Sequence, residues 1–231
     1  MKVDIGIIGA LSEEVSGLIA RLENDEVETV SGIEFHSGLL EGRKVAIARC
    51  GVGKVFAAIC AEAMIIKYSP SLIVNTGVGG AIASGISATD TVIATSLVQH
   101  DMDTSPLGDP KGLISGINKI YFDADTRAVK TLSVAAEELG LRYHKGVVAS
   151  GDRFIARGEE KAFINEEFSA VACEMEGAAI AHTAFVNKTP FAVIRAISDS
   201  ADGEASLDYF SFLPIAAKNS TALTLELVKK Y

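Results

Sequence analysis

This chain of 231 residues is poor in the residues that mark secreted or metal-binding proteins. It has no tryptophan, and its three cysteines, Cys50, Cys60 and Cys173, are scattered and never in CxxC spacing. An odd number of dispersed cysteines argues against a disulfide framework and against a zinc site, and favours a reducing compartment. The remaining composition, 48% hydrophobic and 22% charged, is typical of a compact globular protein.

Clustered positive charge and long apolar segments are also missing. The net charge is −9 at pH 7, and no run of lysine or arginine interrupts it. This argues against a nucleic-acid surface and against binding to an anionic membrane. The apolar runs are too short to span a bilayer, and the chain passes from Met1-Lys2 directly into a predicted strand without a signal-peptide pattern. We therefore expect a cytoplasmic protein.

Apolar runs and helical patterns alternate along the chain, which predicts an α/β fold with a mixed, mostly parallel sheet and helices on both faces. The predicted strands are Val3–Ile8, Ile33–Leu39, Lys44–Cys50, Leu72–Asn75, Thr91–Val98, Lys145–Ala149, Ala170–Cys173 and Phe191–Ile197. The predicted helices are Glu13–Leu22, Val55–Tyr68, Thr126–Leu139, Glu159–Glu166, Gly177–Val186 and Asp208–Lys230. No repeat or linker divides the sequence, so residues 1–231 are expected to form one domain.

Local signals add detail to this plan. Ser12 is a candidate N-cap for the first helix, and Gly140 is expected at the C′ position of the helix that ends at Leu139. Glu41-Gly42 is expected to turn a hairpin. The stretch from Gln99 to Asn118 is rich in Asp, Pro, Gly and Ser, which predicts an irregular loop.

Three carboxylates, Glu14, Glu176 and Asp199, each follow a predicted strand. In an open α/β sheet, ligands bind in the crevice outside the carboxyl ends of the strands. Acids brought to that crevice from three distant segments indicate an enzyme site. Each also has an ordinary alternative, because acids stabilise the first turn of a helix and an Asp after a strand commonly caps a turn.

Two further segments suit ligand binding. The glycines of Asn75–Gly80 would let backbone N–H groups approach an anion or a ribose, although they could equally form a tight loop. Phe154, in Ser150–Ile155, could stack on a base or belong to the core. The first loop is not a dinucleotide fingerprint, because Asp4 occupies the place of its first glycine. The four histidines show no metal-ligand spacing.

In this order, the segments resemble the nucleoside phosphorylase and nucleosidase family, in particular the bacterial 5′-methylthioadenosine/S-adenosylhomocysteine nucleosidases. The resemblance spans nearly the whole chain and rests on Gly6–Val15, Gly51–Val55, Asn75–Gly80, Ser150–Ile155, Glu174–Glu176 and Arg195–Asp199. It implies a single-domain, three-layer αβα sandwich. It also implies hydrolysis of the N-glycosidic bond of 5′-methylthioadenosine and S-adenosylhomocysteine, with 5′-deoxyadenosine a further candidate, and no cofactor or metal.

The resemblance assigns roles to the three acids. Asp199 protonates adenine at N7, Glu14 activates the attacking water, and Glu176 accepts hydrogen bonds from the ribose hydroxyls. Negative charge at Glu176 would also stabilise the oxocarbenium-like sugar. The other residues that the resemblance places at the substrate are Met175 at the sugar, Phe154 and Ile155 at adenine, Ser198 beside Asp199, Leu11, Val52 and Tyr209 around the 5′ substituent, and Val78 and Gly80.

The resemblance also implies a homodimer in which the loop 99–118 reaches the 5′ pocket of the neighbouring subunit. Two positions depart from the family pattern. Val78 stands where many relatives carry a hydroxyl, and Leu107 stands where some relatives place an aromatic residue.

Three alternatives to a thioadenosine nucleosidase stay open. A phosphorylase needs a cationic phosphate site, and the first loop offers Glu14 and no arginine, although Arg49 and Arg153 lie in neighbouring blocks. An aminofutalosine nucleosidase would use the same adenine and ribose contacts. A non-catalytic nucleoside-binding protein would not need a water-activating acid. Methionine salvage, quorum-signal precursors and quinone synthesis are all compatible cellular roles.

Overall fold

The computed structural model describes residues 2–199 and 205–231, and among these the side chains of residues 205–210 are outside the description. The strands of this part of the chain are β1 (Ile5–Gly9), β2 (Glu23–Val30), β3 (Ile33–Leu40), β4 (Arg43–Arg49), β5 (Leu72–Ala81), β6 (Thr91–Gln99), β7 (Tyr121–Asp123), β8 (Tyr143–Ser150), β9 (Ala170–Glu174) and β10 (Phe191–Asp199). The helices are α1 (Ser12–Ile19), α2 (Lys54–Tyr68), α3 (Thr126–Glu138), α4 (Gly158–Phe168), α5 (Gly177–Val186) and α6 (Ala205–Lys230), with a 3₁₀ turn at Ser105–Leu107.

All ten of the described strands belong to one sheet, in the order β10-β6-β8-β9-β5-β1-β4-β3-β2, with β7 on β6. Because β10 also pairs with β5, the strands β5, β10, β6, β8 and β9 close on themselves while β1, β4, β3 and β2 extend as an open sheet. The pairs among the described strands divide evenly between parallel and antiparallel. The sheet is therefore mixed, and less parallel than the alternation of elements predicted.

Helices cover both faces of the sheet, which gives the expected three layers. Successive strand residues point to opposite faces, so Ile7 packs in the core under α1, α3 and α6 while Ile8 packs in the core under α2 and α5. A smaller third cluster lies under α4. Within the described residues, no helix is long and apolar enough to cross a membrane.

Most of the predicted elements are present within a few residues of their expected bounds. The β3–β4 hairpin turns at Glu41-Gly42, both with positive φ, and α5 spans the predicted Gly177–Val186. Gly140 has φ +67° just beyond α3, as a C′ glycine should. The six predicted helices all form, because each places apolar residues in one of the three core clusters.

The strand Glu23–Val30 was not predicted, and two local predictions were wrong. Glu23–Val30 forms the exposed edge strand β2, because pairing with β3 replaces the burial that its charged sequence cannot provide. Ser12 is the first residue of α1, and Leu11 holds the N-cap position. The glycine segment after Asn75 is not a loop but the second half of β5, since β9 and β10 supply backbone partners for it.

Candidate active site

A cavity with about 570 Å³ of empty space, counting its mouth, opens where β5, β9 and β10 meet. Gly80 of β5 lies between Cys173 of β9 and Asp199 of β10 in the sheet. β9 runs antiparallel to β5, so the carboxyl end of β9 reaches Gly80 from the opposite direction. The prediction of an open, mostly parallel sheet did not include this geometry. The cavity walls include the three predicted acids, Glu14, Glu176 and Asp199.

Glu14 is buried and is held by three backbone N–H groups. Ala10 N and Leu11 N donate to Oε2 at 2.7 and 2.9 Å, and Val78 N donates to Oε1 at 2.9 Å. Burial raises the pKa of Glu14, although the charge of Arg195 and these hydrogen bonds act in the opposite direction. The side chain is thus fixed at the cavity wall and is a better proton acceptor than an exposed glutamate.

The glycines of β5 make room for carboxylates of the protein itself. A Cβ atom on Gly77 would lie 2.5 Å from Glu14 Oε1, and one on Gly80 would lie 2.8 Å from Asp199 Oδ2. The sequence suggested that these glycines let backbone N–H groups approach an anion. The anion at Val78 N is the Glu14 side chain.

Glu174 and Glu176 diverge at the start of α5. Glu174 forms a buried ion pair with Arg195 and accepts hydrogen bonds from Glu176 N at 3.0 Å and Gly177 N at 2.7 Å. Burial acts to raise the pKa of Glu174, but the charge of Arg195 and the surrounding hydrogen bonds outweigh it and lower that pKa. Glu174 therefore serves as the ionised partner of Arg195.

Glu176 has fewer hydrogen-bond partners than Glu174. Its Oε1 accepts a hydrogen bond from Gly53 N at 2.9 Å, and its Oε2 lies 4.0 Å from the Arg195 guanidinium. Burial and the charge of Glu174 raise the pKa of Glu176 to about 7. Gly53 has φ +103° as the N-cap of α2, a conformation that requires glycine. The loop before α2 thus contributes a donor to an acid 123 residues away.

Asp199 is buried at the end of β10. Ser198 Oγ donates to Asp199 Oδ1 at 3.0 Å, and Lys161 Nζ lies 3.1 Å from Asp199 Oδ2. Ser198, which the resemblance places beside Asp199, is thus in hydrogen-bond contact with its carboxylate. The lysine contact was not predicted, because nothing in the sequence of α4 distinguishes Lys161 from a solvated surface lysine.

The remaining predicted contacts complete the cavity wall. Phe154 is 50% exposed at the cavity, whereas Ile155 beside it is buried. The other predicted residues that line the cavity are Met175, Ser198, Gly80, Val78, Leu11 and Val52. The side chain of Tyr209 lies outside the described residues. Among the described residues, no group of three or more His, Cys, Asp and Glu side chains could hold a metal ion.

The sequence reasoning missed the residues that support these acids. Arg195 belongs to one of the segments that carry the resemblance, but no role was predicted for it. It links Glu174 to the side-chain oxygen of Asn75. Asn75 in turn donates to the Ile8 carbonyl at 2.9 Å. A usable signal was present, because an arginine inside the otherwise apolar strand Phe191–Ile197 requires a buried partner.

Comparison with known proteins places this arrangement in a family. The model of the phosphorylase superfamily matches residues 4–229. The chain belongs to the phosphorylase superfamily. A relative from Shewanella loihica, a 5′-methylthioadenosine/S-adenosylhomocysteine nucleosidase, is 37% identical over 227 residues, which cover 97% of this chain and 98% of the relative.

Solved structures of the superfamily agree with the fold over its full length. The 5′-methylthioadenosine/S-adenosylhomocysteine nucleosidase from Neisseria meningitidis, in complex with methylthio-immucillin-A, has a TM-score of 0.95 and 33% identity, covering 99% of both chains. A futalosine hydrolase of Helicobacter pylori has a TM-score of 0.94 and 31% identity, covering 99% of this chain and 98% of its own. The fold is thus shared by superfamily members with different substrates in their names.

Proposed function

We propose that this protein hydrolyses the N-glycosidic bond of 5′-methylthioadenosine and S-adenosylhomocysteine to adenine and the 5′-thioribose. The observation that carries the proposal is the convergence of three buried acids, Glu14, Glu176 and Asp199, on one cavity, each held by a different set of donors. The names of the relatives from Shewanella loihica and Neisseria meningitidis support the same substrates.

In the proposed reaction, Asp199 gives a proton to adenine N7 while the bond to the anomeric carbon lengthens. Glu14 accepts a proton from the water that attacks this carbon, in keeping with its raised pKa. Glu176, once ionised, accepts hydrogen bonds from the ribose hydroxyls and stabilises the positive charge on the sugar. Phe154 stacks on adenine at the cavity mouth, and Met175 packs against the sugar.

The test is adenine release from 5′-methylthioadenosine by the purified protein in phosphate-free buffer. We expect adenine and free methylthioribose in equal amounts, with S-adenosylhomocysteine cleaved in a parallel reaction. The variant Glu14→Gln, which keeps the size of the side chain, should release adenine at least ~10²-fold more slowly. No adenine from either nucleoside would contradict the proposal.

A phosphorylase is the second candidate, and the position of Arg49 favours it. Arg49 Nη1 donates to Ser12 Oγ at 2.9 Å, and both residues line a cleft that shares Leu11 and Val52 with the cavity. An arginine there could contribute to a phosphate site. The carboxylate of Glu14 in the same region opposes an anionic nucleophile. Adenine release that requires added phosphate, with a sugar 1-phosphate as product, would establish this alternative.

Aminofutalosine is a third candidate substrate, because the futalosine hydrolase of Helicobacter pylori shares the fold across its length. The proposed adenine and ribose contacts would serve this nucleoside equally, so the 5′ side of the cavity decides between them. Competition of aminofutalosine with 5′-methylthioadenosine for adenine release would measure the preference directly. We expect the thioadenosine to have the higher kcat/KM.

We further propose that the protein acts as a homodimer in the cytoplasm. An apolar groove between α2 and α5 includes Ile59 and Val186, which are 42% and 57% exposed. Leu107, in the loop 99–118, is 85% exposed. Exposed apolar area of this kind is typical of an interface. Light scattering should give twice the mass of one chain, and Ile59→Asp should give a monomer. The three free cysteines suit a reducing compartment.

A further inference from the structure

Lys161 is a buried lysine outside the cavity wall that contacts the proposed catalytic acid. Its Nζ lies 3.1 Å from Asp199 Oδ2, and both side chains are only 2% exposed. The described residues that line the cavity include Asp199 but not Lys161. The ammonium therefore contacts the carboxylate from a position that does not line the cavity.

The position of Lys161 in α4 is one that a hydrophobic residue would normally occupy. The buried residues of this helix are Lys161, Ile164 and Phe168, whose spacing forms one stripe of the helix. Burying an ammonium costs several kcal/mol unless a carboxylate in good geometry offsets it. A lysine in an apolar stripe thus lowers stability relative to a leucine, which suggests a role in function.

We propose that Lys161 is a positioning residue that acts through Asp199, an inference that rests on the proposed function. Its ammonium fixes the orientation of the carboxylate through Oδ2 and stabilises the negative charge that Asp199 carries after protonating adenine. In that step the O–H bond of Asp199 breaks, the N7–H bond forms, and the electron pair of the glycosidic bond moves to adenine.

The ammonium of Lys161 acts on the step in which the Asp199 carboxylate forms, because an opposite charge 3.1 Å away stabilises that carboxylate. Removal of the ammonium should have two consequences. The chemical step should slow, so that kcat falls, and binding of the nucleoside, measured as KM, should change little.

Other titratable groups near the pair must be separated from this effect. Among the described residues, these are Cys173 and Glu174 on β9, Glu14 and Glu176 across the cavity, and Arg153 at its wall. Burial and the nearby Asp199 charge raise the pKa of Cys173 to about 12, so it does not titrate near neutral pH. Glu176 has a pKa of about 7 and gives an ascending limb, because its ionised form is active. A substitution at Lys161 should lower kcat and leave this ascending limb in place.

The experiment compares the pH dependence of kcat and kcat/KM for adenine release by the wild type and three variants. Lys161→Met keeps the length of the side chain and removes the charge. Lys161→Gln removes the charge but keeps a hydrogen-bond donor, and Lys161→Arg keeps the charge. Lys229→Met is the matched control, because it removes an exposed lysine from its pair with Glu226. Thermal unfolding of each protein is measured in parallel.

We expect Lys161→Met and Lys161→Gln to lower kcat about tenfold while KM stays within about threefold. Lys161→Arg, which keeps the charge, should retain most of kcat. A cooperative thermal transition shows that each variant is folded.

Two results would overturn the inference. One is an unchanged kcat in a folded Lys161→Gln variant. The other is a loss of activity that follows the loss of thermal stability and that Lys161→Arg does not reverse, which would make Lys161 purely structural. An inactive wild type would instead contradict the proposed function itself, so the two failures are distinguishable.

Discussion

The Cβ position of Gly77 lies 2.5 Å from Glu14 Oε1, so no side chain larger than hydrogen fits there while Glu14 keeps its place. The next residue, Val78, donates its N–H to the same oxygen. In β5, Gly77 therefore leaves room for Glu14, and Val78 fixes Glu14 by a hydrogen bond. Glu14 is the acid proposed to activate water.

Gly77→Ala should displace Glu14 and lower kcat for adenine release by roughly 10²-fold, because general base catalysis depends on close positioning. Gly158→Ala is the matched control, since a Cβ at Gly158 meets no atom within 4 Å and φ is not positive. The control should keep full activity. Steady-state kinetics with circular dichroism checks both, and a fully active Gly77→Ala would contradict the role of Glu14.

Asp199→Asn should lower kcat by about 10²-fold or more, because the amide cannot supply the proton to N7. It should also lower the free energy of unfolding by about 3–5 kcal/mol, since the buried Lys161 loses the carboxylate beside it. Adding Lys161→Met to Asp199→Asn should restore most of that stability but none of the turnover. Denaturant unfolding and single-turnover kinetics measure the two effects. If the double variant regained activity, Asp199 would not be the acid.

The pKa of Glu176 predicts a pH dependence of stability. Burial and the charge of Glu174 raise this pKa to about 7, from 4.5. The folded state therefore binds the proton more tightly than the unfolded chain, and the resulting stabilisation is lost as the pH rises through 7. Glu176→Gln avoids the buried charge, so its Tm should exceed that of the wild type at about pH 8 and approach it at about pH 5.

The same substitution should lower kcat by about 10²-fold, since the neutral amide cannot stabilise the positive charge on the sugar. In the wild type, activity should rise with pH through about 7 as Glu176 ionises. Scanning calorimetry and pH–rate profiles test these statements. A Tm difference that is independent of pH would contradict the raised pKa.

Phe154→Ala should raise KM about tenfold and change kcat by no more than about threefold, because stacking on a base contributes roughly 1–3 kcal/mol. Phe163→Ala is the control, since Phe163 is similarly exposed, at 47% against 50%, and is not among the described residues that line the cavity. Initial rates over a range of 5′-methylthioadenosine concentrations give both constants. An unchanged KM for Phe154→Ala would remove the stacking role.

Much of the fold could be predicted from the sequence because the apolar periodicity is strong. Strands such as Phe191–Asp199 are fully buried, and the helix Thr126–Glu138 ends at a recognisable signal, the glycine Gly140. The strand Glu23–Val30 could not be predicted in this way, since its side chains are exposed and only pairing with β3 stabilises it. The antiparallel course of β9 likewise depends on tertiary pairing.

The acids that line the cavity could be predicted from the sequence, but the contacts that hold them could not. Glu14, Glu176 and Asp199 each belong to a motif, so their shared location followed from the order of the strands. The contacts of Lys161 with Asp199 and of Gly53 with Glu176 join residues 38 and 123 positions apart, and no local pattern indicates them. Arg195 was visible in the sequence, but its partners were not.

The most direct test of the proposed hydrolysis is the origin of the new oxygen atom on the sugar. The protein is incubated with 5′-methylthioadenosine and phosphate in water labelled with heavy oxygen, and the sugar product is analysed by mass spectrometry. The account predicts free methylthioribose that carries one heavy oxygen atom at the anomeric carbon. Methylthioribose 1-phosphate without the label at that carbon would contradict it, because phosphate would then be the nucleophile.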